Sequence, residues 1–478
     1  MLEETLQKHF GYKEFRSGQK EVIEQIIRGK DVLTLLPTGS GKSLCYQLPA
    51  YLLGGTTLVI SPLLSLMQDQ VEQLKRFGEK KVVAINSFLT GNDRQQVFQS
   101  LSTYRFIFVS PEMLSNLRFQ QALEMVNLTL IAIDEAHCIS QWGFDFRPEY
   151  LQIGEILKNP QRPPILALTA TATSKVLQDI EFYLQMQTPF QWIASVDRPN
   201  IAYQVIQIND YREKVNWLQQ HINRSIAPGI VYTQSRKKTM AYAEALRAQN
   251  IRVAAYHGGM EKEDRQLIQH QFLAGELDWI IATNAFGMGV HKSDIRQIIH
   301  DHMPSTMGSY MQEVGRAGRD GQQSFATLLY SPEDERLTKS VSLMDYPNRY
   351  QISRYSELVA RGQSPQILLD EYQMTETSYR ILAYWMKQLS PEDVVLKVEQ
   401  LSNDKIQEVD RIRSILLGDT CIREGISHYF EQKLQNRPEI CCSNCGITIE
   451  SIPAKQMIEN DKKRELSWSR RFNDLFPS

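Results

Sequence analysis

Short runs of apolar and β-branched residues recur along the first two thirds of the chain, each followed by a longer stretch with apolar positions every three or four residues. Between 31 and 173 the runs are DVLTLL (31–36), TLVIS (57–61), FIFVS (106–110), LTLIAID (128–134) and ILALT (165–169). Runs without polar alternation are what strands buried on both faces of a parallel sheet require. The intervening segments, such as SLMQDQVEQLKRF (65–77), have helical spacing. This alternation predicts a doubly wound α/β lobe.

The pattern then restarts with GIVYT (229–233), RVAAYH (252–257), DWIIAT (278–283), QIIH (297–300) and FATLLY (325–330), which predict a second, smaller sheet. The boundary is expected near VDRPNIAY (196–203), where Pro199 and Asn200 break the periodicity. After Asp334 the strand pattern stops, and 335–420 reads as mostly helical. Within it, PQILLDEYQMTETSYRILAYWMKQ (365–388) predicts helix, polar turn and second helix. That spacing suits a DNA-reading helix-turn-helix and equally suits an ordinary helical hairpin. The expected divisions are 1–198, 199–335, 336–420, 421–450 and a tail, 451–478. The tail mixes both charges, and SWSRRFNDLF (467–476) within it could form an amphipathic helix that docks a partner.

Composition narrows the setting. The 478 residues are 42% hydrophobic and 23% charged, as expected of soluble multidomain chains. A net charge of −2 means that any nucleic-acid contact must be a local basic patch. MLEETLQKHFGYKEF lacks the apolar core of a secretory signal, and no run of 18 apolar residues predicts a membrane span. Of six cysteines, Cys45 and Cys138 stand alone while Cys421, Cys441, Cys442 and Cys445 cluster. That split suits a reducing compartment and one candidate metal site. A cytoplasmic location is expected, nucleoid-associated if the chain is bacterial.

The chemistry begins at LPTGSGKS (36–43), between the first strand and a helix. Thr38, Gly39, Ser40 and Gly41 would wrap backbone N–H groups around phosphates at a helix N-terminus. Lys42 would reach the terminal phosphates of ATP, and Ser43 would ligate Mg²⁺. Leu36 stands where the common form of this loop has glycine. IDEAH (133–137) ends an apolar strand, where open α/β sheets bind ligands. There Asp134 would hold Mg²⁺ through water and Glu135 would polarise the attacking water, a pairing too costly to leave without a cation. His137 taken alone is as readily structural. From the second lobe, YMQEVGRAGRDG (310–321) offers Gln312, Arg316 and Arg319 to the γ-phosphate, so hydrolysis would depend on cleft closure.

Just beyond the acidic motif, SQWGFDFRPEY (140–150) places Trp142, Phe144 and Phe146 beside Arg147 in a stretch interrupted by Gly143 and Pro148. Exposed rings with a guanidinium suit unstacked bases and their phosphates. Packing against the second lobe is the alternative.

In this order the motifs resemble superfamily 2 helicases and, within them, the RecQ family of DNA helicases, over about 5–335 and more weakly over 410–447. SPLLSLMQDQ (61–70), VSPEML (109–114), ALTATA (167–172), IVYTQSRK (230–237), AYHGGM (255–260) and ATNAFGMGVHKSDIR (282–296) complete the set. The resemblance implies two tandem RecA-like P-loop lobes, then a mostly helical region and a small zinc-binding element. From FGYKEFRSGQ (10–19) it implies that Tyr12 stacks on the adenine, Arg16 supports it and Gln19 hydrogen-bonds its edge. It implies that Thr283, Phe286, Gly287 and Gly289 join Trp142, Phe146 and Arg147 on the DNA strand, largely through its backbone. Phe144 replaces the family's usual histidine. In CIREGISHYFEQKLQNRPEICCSNCGITI (421–449), the two-residue gap between Cys442 and Cys445 lets both sulfurs reach one Zn²⁺. Thr448 occupies one familiar position of a further cysteine, so the resemblance implies Cys421, Cys441, Cys442 and Cys445 as the ligand set. A decayed site held by packing is the alternative.

The resemblance further implies 3′-to-5′ movement on single-stranded DNA and unwinding of forked or partly duplex DNA in recombination, repair and fork processing. A monomer is expected, with a single-strand-binding protein or other repair factor as partner. The family's winged-helix and further nucleic-acid modules have no room before Ser478, so 335–420 is the candidate wedge. An RNA helicase, a translocase or remodelling ATPase that separates no strands, and a non-hydrolysing DNA-binding scaffold are the competing readings.

Overall fold

The computed structural model describes residues 2–86, 91–140, 147–157, 159, 161–287, 292–371, 374–448 and 451–453. Thirteen strands are found among them: β1 (Val32–Leu35), β2 (Thr56–Ile60), β3 (Val82–Ile85), β4 (Phe106–Val109), β5 (Leu128–Ile133), β6 (Ile165–Thr169), β7 (Phe190–Ile193), β8 (Ile201–Gln207), β9 (Gly229–Tyr232), β10 (Val253–Tyr256), β11 (Trp279–Ala282), β12 (Gln297–His300) and β13 (Ser324–Tyr330). They form two sheets, ordered β3-β4-β2-β5-β6-β1-β7 and β10-β11-β9-β12-β13-β8. Every pairing between them is parallel.

Both faces of each sheet carry helices, so the central strands are buried at every position, as in β1, β2, β4 and β6. All ten strands expected from the apolar runs are present. Three more, β3, β7 and β8, lie at sheet edges and are incompletely buried, which weakens the apolar signal; β10, also at an edge, is buried at all four positions. β7 alternates half-buried with exposed residues, and β3 buries only Val82 and Ile85 fully. β8 begins at Ile201, inside the stretch read as a boundary.

The first sheet's arrangement sets up the site. β5, β6 and β1 are neighbours, so the loops leaving β1 and β5 open at the same sheet edge, flanking β6. Asp31 locks this region. Its carboxylate accepts a bidentate pair from Arg162 at 2.8 and 2.7 Å, and also the N–H groups of Ile165 and Gln187 at 2.8 Å each.

Beyond β13 the chain is helical: Pro332–Leu343, Arg349–Ala360, Ile367–Glu371, Glu376–Trp385 and Pro391–Leu417. A core of its own includes Ile352, Leu368, Leu382, Trp385 and Val394. The expected helix, turn and helix are Ile367–Glu371 and Glu376–Trp385, the second capped by Thr375. Arg380 on it pairs with Glu112 at 3.2 Å, docking the region on the first lobe. The long helix Pro391–Leu417 is tied to the helix Pro332–Leu343, which leaves β13, through Arg413–Glu335 (3.0 Å) and Lys339–Asp410 (2.5 Å). No described helix is long and apolar enough to cross a membrane. The segment 467–476 lies outside the described residues.

Candidate nucleotide site, strand-facing residues and cysteine cluster

The loop after β1 turns back with Leu36 N–H donating to Thr169 O at 3.0 Å. Gly39 and Gly41 adopt φ of +86° and +79°, values that a side chain would strain. At Gly39 a Cβ would also stand 2.9 Å from the Arg319 side chain. The loop therefore accepts no bulk exactly where an arginine of the second lobe crosses it. Gln19 braces it from outside: its amide donates to the carbonyls of Ser40 (2.9 Å) and Gly41 (3.1 Å), while its Oε1 accepts the Arg16 N–H. Arg16 donates to Gly39 O. In this arrangement Gln19 serves the phosphate loop, and Ser40 presents its carbonyl to Gln19 rather than lining the cavity.

The cavity, of about 360 Å³, is lined from the first lobe by Tyr12, Arg16, Gln19, Thr38, Gly39, Gly41, Lys42, Ser43, Asp134 and Glu135, and from the second by Gln312, Arg316 and Arg319. Tyr12 is 51% exposed, free to present a ring face. Glu135 gathers the centre. Its carboxylate lies 3.6 Å from Lys42 Nζ, 3.4 Å from His137 Nδ1 and 3.4 Å from the Gln312 amide. Glu135 sits at φ +48°, a left-handed conformation that costs free energy for a non-glycine residue and is a common mark of a functional site. Its N–H donates to Asp134 Oδ1 at 3.0 Å, and the Asp134 carbonyl accepts from Tyr150 OH at 3.1 Å.

Electrostatics separates the two carboxylates. Burial and the neighbouring Glu135 push Asp134 up to about 6, against Lys42. A divalent cation between Ser43 and Asp134 would remove that penalty, so the donor set fits Mg²⁺. Glu135 is held below the ordinary carboxylate range: burial opposes ionisation, but Lys42 and His137 outweigh it. Burial, Arg316 and Arg198 press Arg319 down to about 9, still charged at neutral pH. Arg316 and Arg319, two crowded guanidiniums facing the cavity, would be stabilised by a polyanion there.

Arg198 was read only as linker, yet it spans both lobes. It donates to Gly318 O (2.7 Å) and Ala317 O (3.3 Å), with longer contacts to Gly315 O (3.4 Å) and Thr38 O (3.5 Å). Its basic type beside a proline gave no sequence signal of this role.

Strand-facing candidates are arranged differently. Trp142, Phe144, Phe146 and Gly289 lie outside the described residues. Arg147 donates to Pro62 O at 2.8 Å, joining the end of the aromatic stretch to the segment after β2. Phe286 is fully buried against Tyr256 and Phe272. Its N–H donates to Thr283 O at 3.0 Å and its carbonyl accepts Tyr232 OH at 2.9 Å, so its ring is kept from a strand and its backbone is spent within the lobe. Thr283 N–H is spent on Tyr256 O at 3.1 Å, and Gly287 O accepts from Arg316. That last bond connects the nucleotide cavity to the candidate strand surface.

The four late cysteines converge, with sulfur–sulfur distances of 3.6 Å (Cys421–Cys441), 3.9 Å (Cys421–Cys442) and 3.5 Å (Cys442–Cys445), and all four within 4.8 Å of one another. Tetrahedral Zn²⁺ with bonds of about 2.3 Å needs sulfurs about 3.8 Å apart, so the cluster fits a metal ion. His428 is not part of it. The element is anchored on β8 and the interlobe linker: Tyr203 N–H donates to Cys441 O at 3.1 Å, and Gln432 Oε1 accepts Val196 N–H at 2.9 Å. Arg423, 1% exposed, donates to Asp197, to Arg198 O at 3.0 Å and to Ile201 O.

Two parallel-sheet lobes with a phosphate loop and acidic pair facing arginines across a cleft define a nucleotide-dependent helicase core. Residues 16–180 match the family model DEAD/DEAH box helicase, and 213–321 match Helicase conserved C-terminal domain. The chain is 40% identical over 488 residues to "Probable ATP-dependent DNA helicase RecS" of Bacillus subtilis (strain 168), covering 99% of this chain and 98% of that one. It is 43% identical over 327 residues to ATP-dependent DNA helicase RecQ of Pasteurella multocida (strain Pm70), covering 68% and 51%. It thus spans about half the length of that RecQ relative. Among solved structures, DUF1998 helicase MrfA bound to DNA aligns with a TM-score of 0.57 at 19% identity, covering 71% of this chain and 52% of that one. S. cerevisiae Dbp5 bound to RNA and ADP BeF3 aligns at 0.57 and 15%, covering 71% and 90%. These two likenesses are of fold. The chain belongs to the RecQ/RecS family of ATP-dependent DNA helicases.

Proposed function

We propose that the chain hydrolyses ATP in the cavity between its lobes and couples the cycle to 3′-to-5′ movement on single-stranded DNA, with separation of forked or partly duplex DNA. The observation that carries this reading is Glu135, within 3.6 Å of Lys42 on its own lobe and 3.4 Å of Gln312 on the other. Tyr12 stacks on the base, Arg16 and Gln19 brace the phosphate loop beside it, and Thr38, Gly39, Gly41, Lys42 and Ser43 cradle the phosphates. Ser43 and Asp134 would hold Mg²⁺, which when bound neutralises charge on the β- and γ-phosphates. Glu135, kept ionised, accepts the proton of the attacking water. His137 fixes its carboxylate, and Gln312, Arg316 and Arg319 complete the charge environment when the lobes close.

Trp142, Phe146, Arg147, Thr283, Phe286, Gly287 and Gly289 are proposed to meet the strand. Cys421, Cys441, Cys442 and Cys445 are proposed to hold a structural Zn²⁺. The division into lobes at 1–198 and 199–335, a helical region at 336–420 and a zinc-binding element at 421–450 belongs to the same proposal, as do a cytoplasmic setting, a monomeric state and a role in recombination, repair and fork processing alongside a single-strand-binding protein.

The test is ATP hydrolysis with single-stranded DNA, with RNA and alone, beside unwinding of a forked duplex and displacement of a triplex strand. DNA should stimulate hydrolysis and the fork should open, both lost by a factor of at least about 100 in Glu135→Gln. Absence of hydrolysis by the unaltered chain with DNA present overturns the reading; stimulation by RNA alone, or triplex displacement without fork opening, selects its rivals.

A further inference from the structure

The helix Met307–Val314 carries Gln312 toward Glu135 and leads into the turn bearing Arg316 and Arg319. Thr306 caps it, its hydroxyl accepting Ser309 N–H at 3.2 Å. Its first N–H, on Met307, has no partner within the helix. That group donates instead to Glu408 Oε1 at 3.2 Å, from the middle of the long helix Pro391–Leu417. The same oxygen accepts Tyr429 OH at 2.6 Å. Tyr429 ends the helix Ile422–Tyr429, whose N-cap is Cys421 of the cysteine cluster. Its ring is covered by the Arg411 guanidinium at 4.5 Å.

One half-buried carboxylate is thus the meeting point of three elements: the helical region that owns it, the helix springing from the cysteine cluster, and the second-lobe helix facing ATP. A negative charge at a helix N-terminus is also favoured by the helix dipole. Glu408 further lines a small cavity of about 80 Å³ shared with His137 and Thr171 of the first lobe and Gly308 of the second. It therefore stands directly behind the seam along which the lobes must move.

We propose that Glu408 is a positioning residue for ATP hydrolysis, holding the helix Met307–Val314 at the height and tilt that bring Gln312 to Glu135, and relaying to it the seating of the cysteine-bearing element through Tyr429. This rests on the reading of Gln312 as a γ-phosphate-facing group. Glu408 is not among the residues lining the nucleotide cavity. Its removal acts by letting the first turn of the Gln312 helix shift, and small displacements of catalytic groups are costly in rate.

DNA-stimulated ATPase kinetics of the full chain test this, with Glu408→Ala, Glu408→Gln and Tyr429→Phe measured beside Gln312→Ala. Glu408→Ala should lower kcat about tenfold with KM for ATP changed less than about twofold, the split expected when only the transition state loses support. Glu408→Gln keeps an acceptor at Oε1 and should recover most of the lost kcat. In a Gln312→Ala background, Glu408→Ala should cost less than about twofold, because both changes act through one group. Full additivity with Gln312→Ala, or an unchanged kcat in Glu408→Ala, overturns the proposal. If Glu408→Ala does not fold, Tyr429→Phe carries the test: it should lower kcat at unchanged zinc content, and wild-type kcat overturns the relay. Failure of the unaltered chain to hydrolyse ATP would instead fault the underlying reading of the cavity.

Discussion

Replacing Arg423 by methionine should loosen the joint between the cysteine-bearing element and the helicase core. The guanidinium is almost wholly buried and serves Asp197, Arg198 O and Ile201 O at once, while lying 5.1 Å over the Tyr203 ring. Methionine keeps the volume and the ring contact but donates nothing. The Ile201 carbonyl is stranded, at about 1–3 kcal/mol, while the Arg198 carbonyl keeps the Ile201 N–H at 2.9 Å and loses only its second donor. Asp197 loses the partner of a largely buried pair, a change worth about 3–5 kcal/mol where no water enters. The Asp197 side chain is 13% exposed, so water recovers part of that, and the terms share one side chain and do not add. A net loss of about 4 kcal/mol follows, roughly a thousandfold rise in the constant for local opening. Native-state proteolysis of the intact chain reads that constant, and zinc content measured on the same samples separates joint opening from loss of the ion. A rise of less than about tenfold would refute the reasoning, since it would mean that the three acceptors find substitutes without cost.

Gly39→Ala should weaken ATP binding by at least about tenfold in an equilibrium titration, because alanine strains the positive φ and its methyl group meets Arg319. If the cluster holds zinc as proposed, Cys442→Ser should abolish stoichiometric zinc in the purified chain and lower its melting temperature, since the fully buried Cys442 sulfur lies 3.5 Å from that of Cys445 and 3.9 Å from that of Cys421. Acid should act on the first lobe through Asp31. Burial raises its pKa, but Arg162 and the N–H groups of Ile165 and Gln187 prevail and hold it below the usual value. A depressed native pKa stabilises above the unfolded value, about 4, and that contribution fades as pH falls further. The melting-temperature gap between the unaltered chain and Asp31→Asn should therefore be constant from neutral pH down to about 5 and narrow below about 4.

The central strands were readable because burial on both faces leaves uninterrupted apolar runs; β3, β7 and β8 escaped where an edge leaves part of the strand exposed, whereas β10, also at an edge, is buried throughout and was read. Motif residues announced their chemistry but not their neighbours. Nothing local in Gln19 says that its amide serves the phosphate loop, and nothing in Phe286 says that its ring is fully buried. The cysteines were legible as a set, with the fourth ligand left to resemblance until the sulfurs were found together. Arg198, Glu408 and Arg423 carried no signal at all: each acts on backbone carbonyls or N–H groups roughly a hundred or more positions away, a pairing that only the folded chain reveals.

Arg198 also bears on how the proposed motor would move. Its guanidinium holds the Gly318 carbonyl at 2.7 Å and reaches the Thr38 carbonyl of the phosphate loop at 3.5 Å, so lobes that close on nucleotide as proposed would swing about it as a pivot. Angular motion is small near a fulcrum and grows with radius. A slight tightening around a bound triphosphate would then be geared up at the opposite rim, with a stride set by lever length rather than by the size of the chemical event.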